Sequence, residues 1–271
     1  MLTNREKYEK YRPKKHFGQN FLVDDNISRK IVNALEITDS DLVVEIGPGQ
    51  GALTKHLIQK AKNFIAVEID RFAAESLTEK FGSKLYIITK DFLEFDFVND
   101  LEKFNRNLNL KVIGNIPYNI TSDILFKLLD NADKVRTAVL MIQREVAERL
   151  YAERGTKQYG ILAVQFQAFA DVKKVVSVPP TAFFPKPDVH STVFRIDFRN
   201  NTQEINDKNL FREFVRKAFS KRRKTLKNSL KEFFETHNIK SEDIDFDFGR
   251  RAESLEITEF ITLSNRIAAM K

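Results

Sequence analysis

Between residues 42 and 142, short apolar bursts alternate with amphipathic stretches, and this rhythm restricts the chain to very few architectures. The bursts are "LVVEIG" (42–47), "FIAVEID" (64–70), "KLYIIT" (84–89), "LKVIGN" (110–115) and "RTAVLMI" (136–142). Each is rich in Val and Ile and nearly continuous in its apolar character, as expected of a strand covered on both faces. Residues 54–62, 72–81, 122–131 and 144–151 carry helical spacing instead. Such alternation predicts an α/β fold, a parallel doubly wound sheet with helices on both sides.

The rhythm then changes. "VKKVVSV" (172–178) and "STVFRIDF" (191–198) are separated by "PPTAFFPKPDVH", which has no helix pattern. These two strands are expected to form an antiparallel pair closing the sheet edge. Beyond Asn200 and Asn201 the chain turns polar and then helical. Phe211, Phe214, Val215, Ala218 and Phe219, followed by Leu226, Leu230 and Phe233, recur at helical spacing opposite a basic face. The expected organisation is a sheet domain over residues 1–200 and a small all-α domain over 201–271.

A net charge of +7 and a pI near 9.3 favour a polyanionic partner. Basic residues gather over 5–15 and 211–228, although a solvated helix face gives the same pattern. Cysteine is absent, which removes disulfides, thiolate nucleophiles and cysteine metal sites. His16, His56, His190 and His237 lack metal-ligand spacing, so no metal is expected. No apolar run reaches membrane-spanning length, and the N-terminus has neither the apolar core of a secretory signal nor the acid-poor composition of a transit peptide. A cytoplasmic protein without a membrane partner is expected.

"VVEIGPGQGALT" follows the first strand and opens a helix. Gly47, Gly49 and Gly51 permit a tight turn beyond the carboxyl ends of the strands, where doubly wound sheets bind cofactors. Glu68, ending the second strand, suits a ribose diol. These features fit a dinucleotide as well as S-adenosylmethionine, so the loop alone does not separate hydride transfer from methyl transfer.

The end of the fourth strand is more discriminating. "GNIPYN" (114–119) places an amide, a proline and an aromatic ring where the strand leaves the sheet. An ordinary strand-ending turn reads the same way. Beside the glycine loop and Glu68, it suits methylation of an exocyclic amine. The lone pair of adenine N6 is delocalised into the ring. In-plane acceptors on its hydrogens favour a pyramidal nitrogen, and the Asn115 side-chain oxygen and the Ile116 carbonyl can supply them. Pro117 fixes φ and carries no N–H. The Tyr118 ring can stack on the base and stabilise its developing positive charge.

Across essentially its whole length the chain resembles the ribosomal RNA adenine N6,N6-dimethyltransferases of the small subunit, the kasugamycin-sensitivity group. The resemblance runs through "KKHFGQNFL" (14–22), "EIGPGQGALT" (45–54), "VEID" (67–70), "GNIPYNIT" (114–121) and "QREVAERL" (143–150). It continues in "YGILAVQFQ" (159–167), "PPTAFFPKPDVHSTV" (179–193), "AFSKRRKTLKNSL" (218–230) and "RAESLEI" (251–257). It implies a Rossmann-like methyltransferase sheet with an antiparallel edge strand, a small helical domain, and S-adenosylmethionine as cofactor. By the resemblance, Gln19, Asn20, Leu22, Gly47, Glu68, Asp91 and Asn115 contact the cofactor. Asn115, Ile116, Pro117 and Tyr118, with Phe183 or Phe184 opposite, form the target pocket, Phe184 being preferred. Lys14, Lys15, Lys221, Arg222, Arg223 and Lys224 would meet phosphates of small-subunit rRNA or its ribosomal particle.

The implied outcome is dimethylation of two adjacent adenosines near the 3′ end of that RNA, by a monomer. The large-subunit adenine methyltransferases that confer macrolide resistance share the glycine loop and the Asn-x-Pro-Tyr motif. Ile116 leans toward that group, while "FGQNFL", "QREVAERL", "KRRKTLKNSL" and "RAESLEI" lean toward the small-subunit group. A ribosome-assembly factor that binds RNA without catalysis is the remaining alternative, and it has no use for an intact Asn-x-Pro-Tyr pocket.

Overall fold

The structure is a computed structural model that describes residues 20–104, 107–199, 205–221 and 223–270. Lys14, Lys15, Gln19 and Arg222 lie outside the described residues. The chain packs as two compact units: residues up to Arg144 with Lys173–Ile196, and Glu145–Val172 with Asp197–Lys271.

In the first unit, β1 (Phe21–Leu22) precedes the five parallel strands β2 (Asp41–Ile46), β3 (Asn63–Glu68), β4 (Tyr86–Thr89), β5 (Asn109–Asn115) and β6 (Val135–Gln143). Three more strands follow: β7 (Ala170–Val178), whose first three residues belong to the second unit, β8 (Phe183–Phe184), and β9 (Ser191–Phe198), whose last two do. The mixed seven-stranded sheet runs β4-β3-β2-β5-β6-β9-β7. The last strand in sequence is therefore inserted beside β6, and β7 becomes the edge. Every residue of β2 is buried, whereas most of β7 is partly or fully exposed, as central and edge positions require.

The helices of this unit are α1 (Asp25–Ala34), α2 (Thr54–Lys60), α3 (Arg71–Phe81) and α4 (Thr121–Asp130). Two of them begin on side-chain caps. Asp24 accepts from the Ile27 N–H and Asp70 from the Phe72 N–H, occupying donors that the first helical turn leaves unpaired. α1 escapes the sequence pattern, although Ile27, Ile31 and Val32 bury one face of it.

Two buried charges sit at the amino ends of the strands, away from the glycine loop. Lys111 Nζ meets Asp41 Oδ2 at 2.9 Å and donates to the Leu35 and Glu36 carbonyls at 3.1 and 2.7 Å. Burial alone would raise the Asp41 carboxyl; the Lys111 ammonium and Thr38 outweigh it and hold the group below its ordinary range. Lys111 uses all three ammonium donors and Asp41 Oδ2 also accepts from Thr38, so the buried pair carries the added hydrogen bonds that make one tolerable.

The second unit is helical: α5 (Arg144–Leu150), α6 (Ile161–Phe169), α7 (Lys208–Ala218), α8 (Leu226–Ser229), α9 (Lys231–Thr236) and α10 (Ile257–Ala269). Its core is aromatic. Phe214 lies 5.7 Å from Phe233 and 6.0 Å from Phe260, and Phe169 lies 5.7 Å from Phe211. A boundary at residue 200 follows chain order, but residues 145–172 group with the C-terminal helices. The reason is α6, whose "ILAVQFQAF" is apolar nearly all round and must be covered by other helices. Among the described residues, no helix is long and apolar enough to cross a membrane, and no group of acidic, His or Cys side chains could hold a metal ion.

Candidate active site

Parallel register brings the strand ends to one level: Ile46 pairs with Val67 and Gly114, Glu68 with Thr89, and Asn115 with Met141. Just beyond these ends lies a cleft of about 580 Å³. Asn20, Leu22, Gly47, Glu68, Asp91, Asn115, Ile116, Pro117 and Tyr118 all line it, so residues spread over 99 positions of sequence converge on one cavity.

The glycine loop forms its floor. Gly47 N–H donates to the Val67 carbonyl at 2.9 Å, anchoring the loop to β3. Gly49 has φ +55°, and a Cβ there would stand 3.2 Å from the Phe21 ring, so a side chain at this point would press on β1. Its N–H donates to Glu68 Oε2 at 2.9 Å, and the Asp70 N–H donates to Glu68 Oε1 at the same distance. Each carboxylate oxygen thereby keeps acceptor capacity for a ligand hydroxyl. Burial raises the Glu68 carboxyl above the ordinary range. At the next strand end, Asp91 Oδ1 caps a short turn by accepting from the Leu93 N–H at 2.8 Å.

On the opposite wall, the Asn115 amide has a defined orientation. Its Nδ2 donates to the Asn20 carbonyl at 3.0 Å, which leaves Oδ1 as its acceptor toward a ligand. The Ile116 N–H donates to the Met141 carbonyl at 3.0 Å, and the Ile116 side chain is 1% exposed. Position 116 therefore offers the cleft backbone alone, and Ile or Leu there presents the same carbonyl. The Pro117 carbonyl accepts from Thr121 Oγ1 at 3.1 Å and from the Ile120 N–H at 3.3 Å, closing the turn that carries Tyr118. Tyr118 is partly buried, and its hydroxyl lies 2.8 Å from Ser191 Oγ.

The two-stranded pair β1–β8 matches Phe21 with Phe184 and Leu22 with Phe183. Alternation along β8 separates its two aromatics: Phe183 is 4% exposed and belongs to the core, while Phe184 is 36% exposed. Phe184 itself does not line the cleft; its partner Phe21 does. Lys221, Arg223 and Lys224 are exposed on the segment between α7 and α8 in the helical unit.

Two further lining residues carry polar atoms that motif reading passed over. Glu45, in the middle of an otherwise apolar strand end, accepts from Thr54 Oγ1 at 2.7 Å, and burial pushes its carboxyl up to about 8. An acid inside "LVVEIG" was the available signal. The side-chain Nε2 of Gln50 is buried and has no hydrogen-bond partner among the described residues. A buried donor without an acceptor in a cleft wall is a position that a polar ligand would satisfy.

Sheet topology, glycine loop and polar strand end together define a Rossmann-like methyltransferase. Residues 11–269 match the ribosomal RNA adenine dimethylase family, and the chain belongs to it. A relative from Prosthecochloris aestuarii, the ribosomal RNA small subunit methyltransferase A, is 46% identical over 95% of each chain. The protein of that name from Francisella tularensis is 40% identical over 94% of this chain and 98% of its own. Among solved structures, a dimethyladenosine transferase from Plasmodium falciparum superposes with a TM-score of 0.73 at 26% identity, covering 92% of this chain and 98% of its own. The 23S rRNA methyltransferase ErmE reaches 0.67 at 23% identity, covering 92% and 100%, a likeness of fold.

Proposed function

We propose that this protein transfers methyl groups from S-adenosylmethionine to N6 of adenosines in small-subunit rRNA, producing N6,N6-dimethyladenosine at two adjacent positions near the 3′ end. The observation that carries this reading is the Asn115 amide, held by the Asn20 carbonyl with its oxygen left as an acceptor in the cleft wall. The residues present fit the cofactor: Glu68 has an acceptor position left on each oxygen, and the buried Gln50 Nε2 has no hydrogen-bond partner among the described residues.

When bound, the cofactor supplies an electrophilic sulfonium methyl. Everything else falls to the chain. Glu68 accepts from the two ribose hydroxyls, and Asp91 from the cofactor's adenine amine. Asn20 and Leu22 would contact it from the N-terminal segment, and Gly47 would touch its methionine part. Asn115 Oδ1 and the Ile116 carbonyl would accept from the target amine, drawing its lone pair out of conjugation and making the nitrogen nucleophilic. Tyr118 stacks on the target base, with Phe184 at the rim across β1. Fixed acceptors in a closed-off wall lower the barrier by orientation and preorganised electrostatics.

The target adenosine must leave its stack to enter, which favours an unpaired loop. Lys221, Arg223 and Lys224 meet phosphates and set position, with Lys14, Lys15 and Arg222 assigned the same role from sequence. The protein works as a monomer in the cytoplasm, on the small-subunit particle. Support for the small subunit over the large comes from the names of relatives 40–46% identical. Mass spectrometry of both ribosomal RNAs from a deletion strain tests the proposal. Loss of dimethyladenosine from the small-subunit RNA is expected; loss from the large-subunit RNA instead would overturn it.

A further inference from the structure

Tyr118 and Ser191 are 73 residues apart in sequence, yet their hydroxyls meet at 2.8 Å. Ser191 is fully buried at the first position of β9, and the strand is fastened there by the Arg144 N–H, which donates to the His190 carbonyl at 3.0 Å. Tyr118 has a different setting. Its backbone belongs to a short turn held through the Pro117 carbonyl, and the residue lines the cleft while its hydroxyl meets Ser191 on β9. One end of the residue is thus fixed by the turn and the other by a rigid strand.

We infer that Ser191 is a positioning residue for methyl transfer: its hydroxyl pins the Tyr118 hydroxyl and thereby sets the direction and position of the ring on which the target base stacks. The inference rests on the proposed stacking role of Tyr118. A tyrosine ring turns about two side-chain bonds; its oxygen lies on the axis of the second, so a hydrogen bond at its far end fixes the direction of the ring axis, which the first bond sets. The requirement is sharper in the second round of transfer. N6-methyladenine has a single N–H left for Asn115 Oδ1 or the Ile116 carbonyl, so its placement depends more heavily on the stacked ring. Ser191 therefore acts through Tyr118, and its loss should separate the second methylation from the first.

The test uses full-length Ser191→Ala, Tyr118→Phe, the double variant and Tyr118→Ala, with unmethylated small-subunit particles as substrate. Ser191→Ala and Tyr118→Phe are each expected to lower the rate of the second transfer about tenfold, the order of effect of a modest misplacement. N6-methyladenosine accumulates as a result, while the dissociation constant of S-adenosylhomocysteine stays unchanged. The double variant should be no slower than either single one, because both remove the same bond. Unchanged second-transfer rates in Ser191→Ala and Tyr118→Phe, alongside an inactive Tyr118→Ala, would overturn the tether and leave the stacking role intact. Full activity of Tyr118→Ala would overturn the stacking role and the tether with it. Additive losses accompanied by weaker cofactor binding and a lower Tm would make Ser191 a packing residue and also refute the inference.

Discussion

Glu68→Gln exchanges one oxygen for an NH2 group and leaves the shape of the side chain unchanged. In the native cleft, the two carboxylate oxygens each accept one backbone N–H at 2.9 Å, from Gly49 and from Asp70. The amide can satisfy only one of them, and its own NH2 then confronts the other donor. An orphaned backbone N–H costs about 1–3 kcal/mol in a buried setting. Removal of the buried charge offsets part of this, because desolvation is the dominant influence on the Glu68 carboxyl. The free protein should therefore melt within a few degrees of wild type, at about 2–4 °C per kcal/mol for a chain of this size.

Cofactor binding should suffer more. The variant loses a charged acceptor for one ribose hydroxyl, an interaction of about 1.5–3 kcal/mol. At about 1.4 kcal/mol per decade, the dissociation constant rises about 10- to 150-fold. Titration calorimetry with S-adenosylhomocysteine measures this, and scanning calorimetry of the free protein supplies the control. The wild type also binds more tightly as pH rises, because the raised carboxyl must ionise before it accepts well from the diol; the glutamine variant lacks that dependence. A dissociation constant within threefold of wild type would refute the assignment of Glu68 to the ribose.

Glu45→Gln tests the other buried acid of the cleft. The Glu45 carboxyl moves from 4.5 to about 8 on folding, so its contribution to stability is fully present below about pH 4.5 and is lost progressively as pH rises to about 8. The variant should lose less over that window in a series of melting curves, and an identical decline would contradict the burial of the acid. Gly51→Ala places a methyl 2.9 Å from Leu77 Cδ2 at φ +81°. Left-handed backbone costs an alanine about 1–2 kcal/mol, so Tm falls by several degrees and cofactor binding weakens as the loop shifts; an unchanged Tm would contradict the loop geometry. Alanine at Lys221, Arg223 and Lys224 should flatten the salt dependence of RNA binding by about 0.7–0.9 in log–log slope for each phosphate no longer neutralised. An unchanged slope, measured by filter binding across salt concentrations, would remove these residues from the RNA surface.

The parallel sheet was legible because strands covered on both faces cannot hide: "LVVEI" is buried at every position, and its neighbours are nearly so. The cleft was legible for a related reason, since polar residues at the ends of such strands have little structural use. α6 was not legible. A helix that is apolar on every side has no period to detect, and its burial brought residues 145–172 into the helical unit. The preference for Phe184 over Phe183 rested on resemblance alone until the pairing of β8 with β1 assigned one to the core and the other to the surface. The Tyr118–Ser191 bond had no sequence signal at all, because a hydrogen bond across 73 residues depends on the order in which strands lie in the sheet. The chemistry of single residues could be read locally; what orients them came only with the fold.

Methyl transfer by this protein depends on Asn115 accepting from the amine of the target base. The direct measurement is single-turnover methylation of unmethylated small-subunit particles by Asn115→Ala, with particle binding measured in parallel. Loss of a preorganised hydrogen-bonding group at a reacting centre lowers rates by about 10²–10³, so methylation should fall by that order while the particle is still bound. Methylation at the wild-type rate would contradict the account.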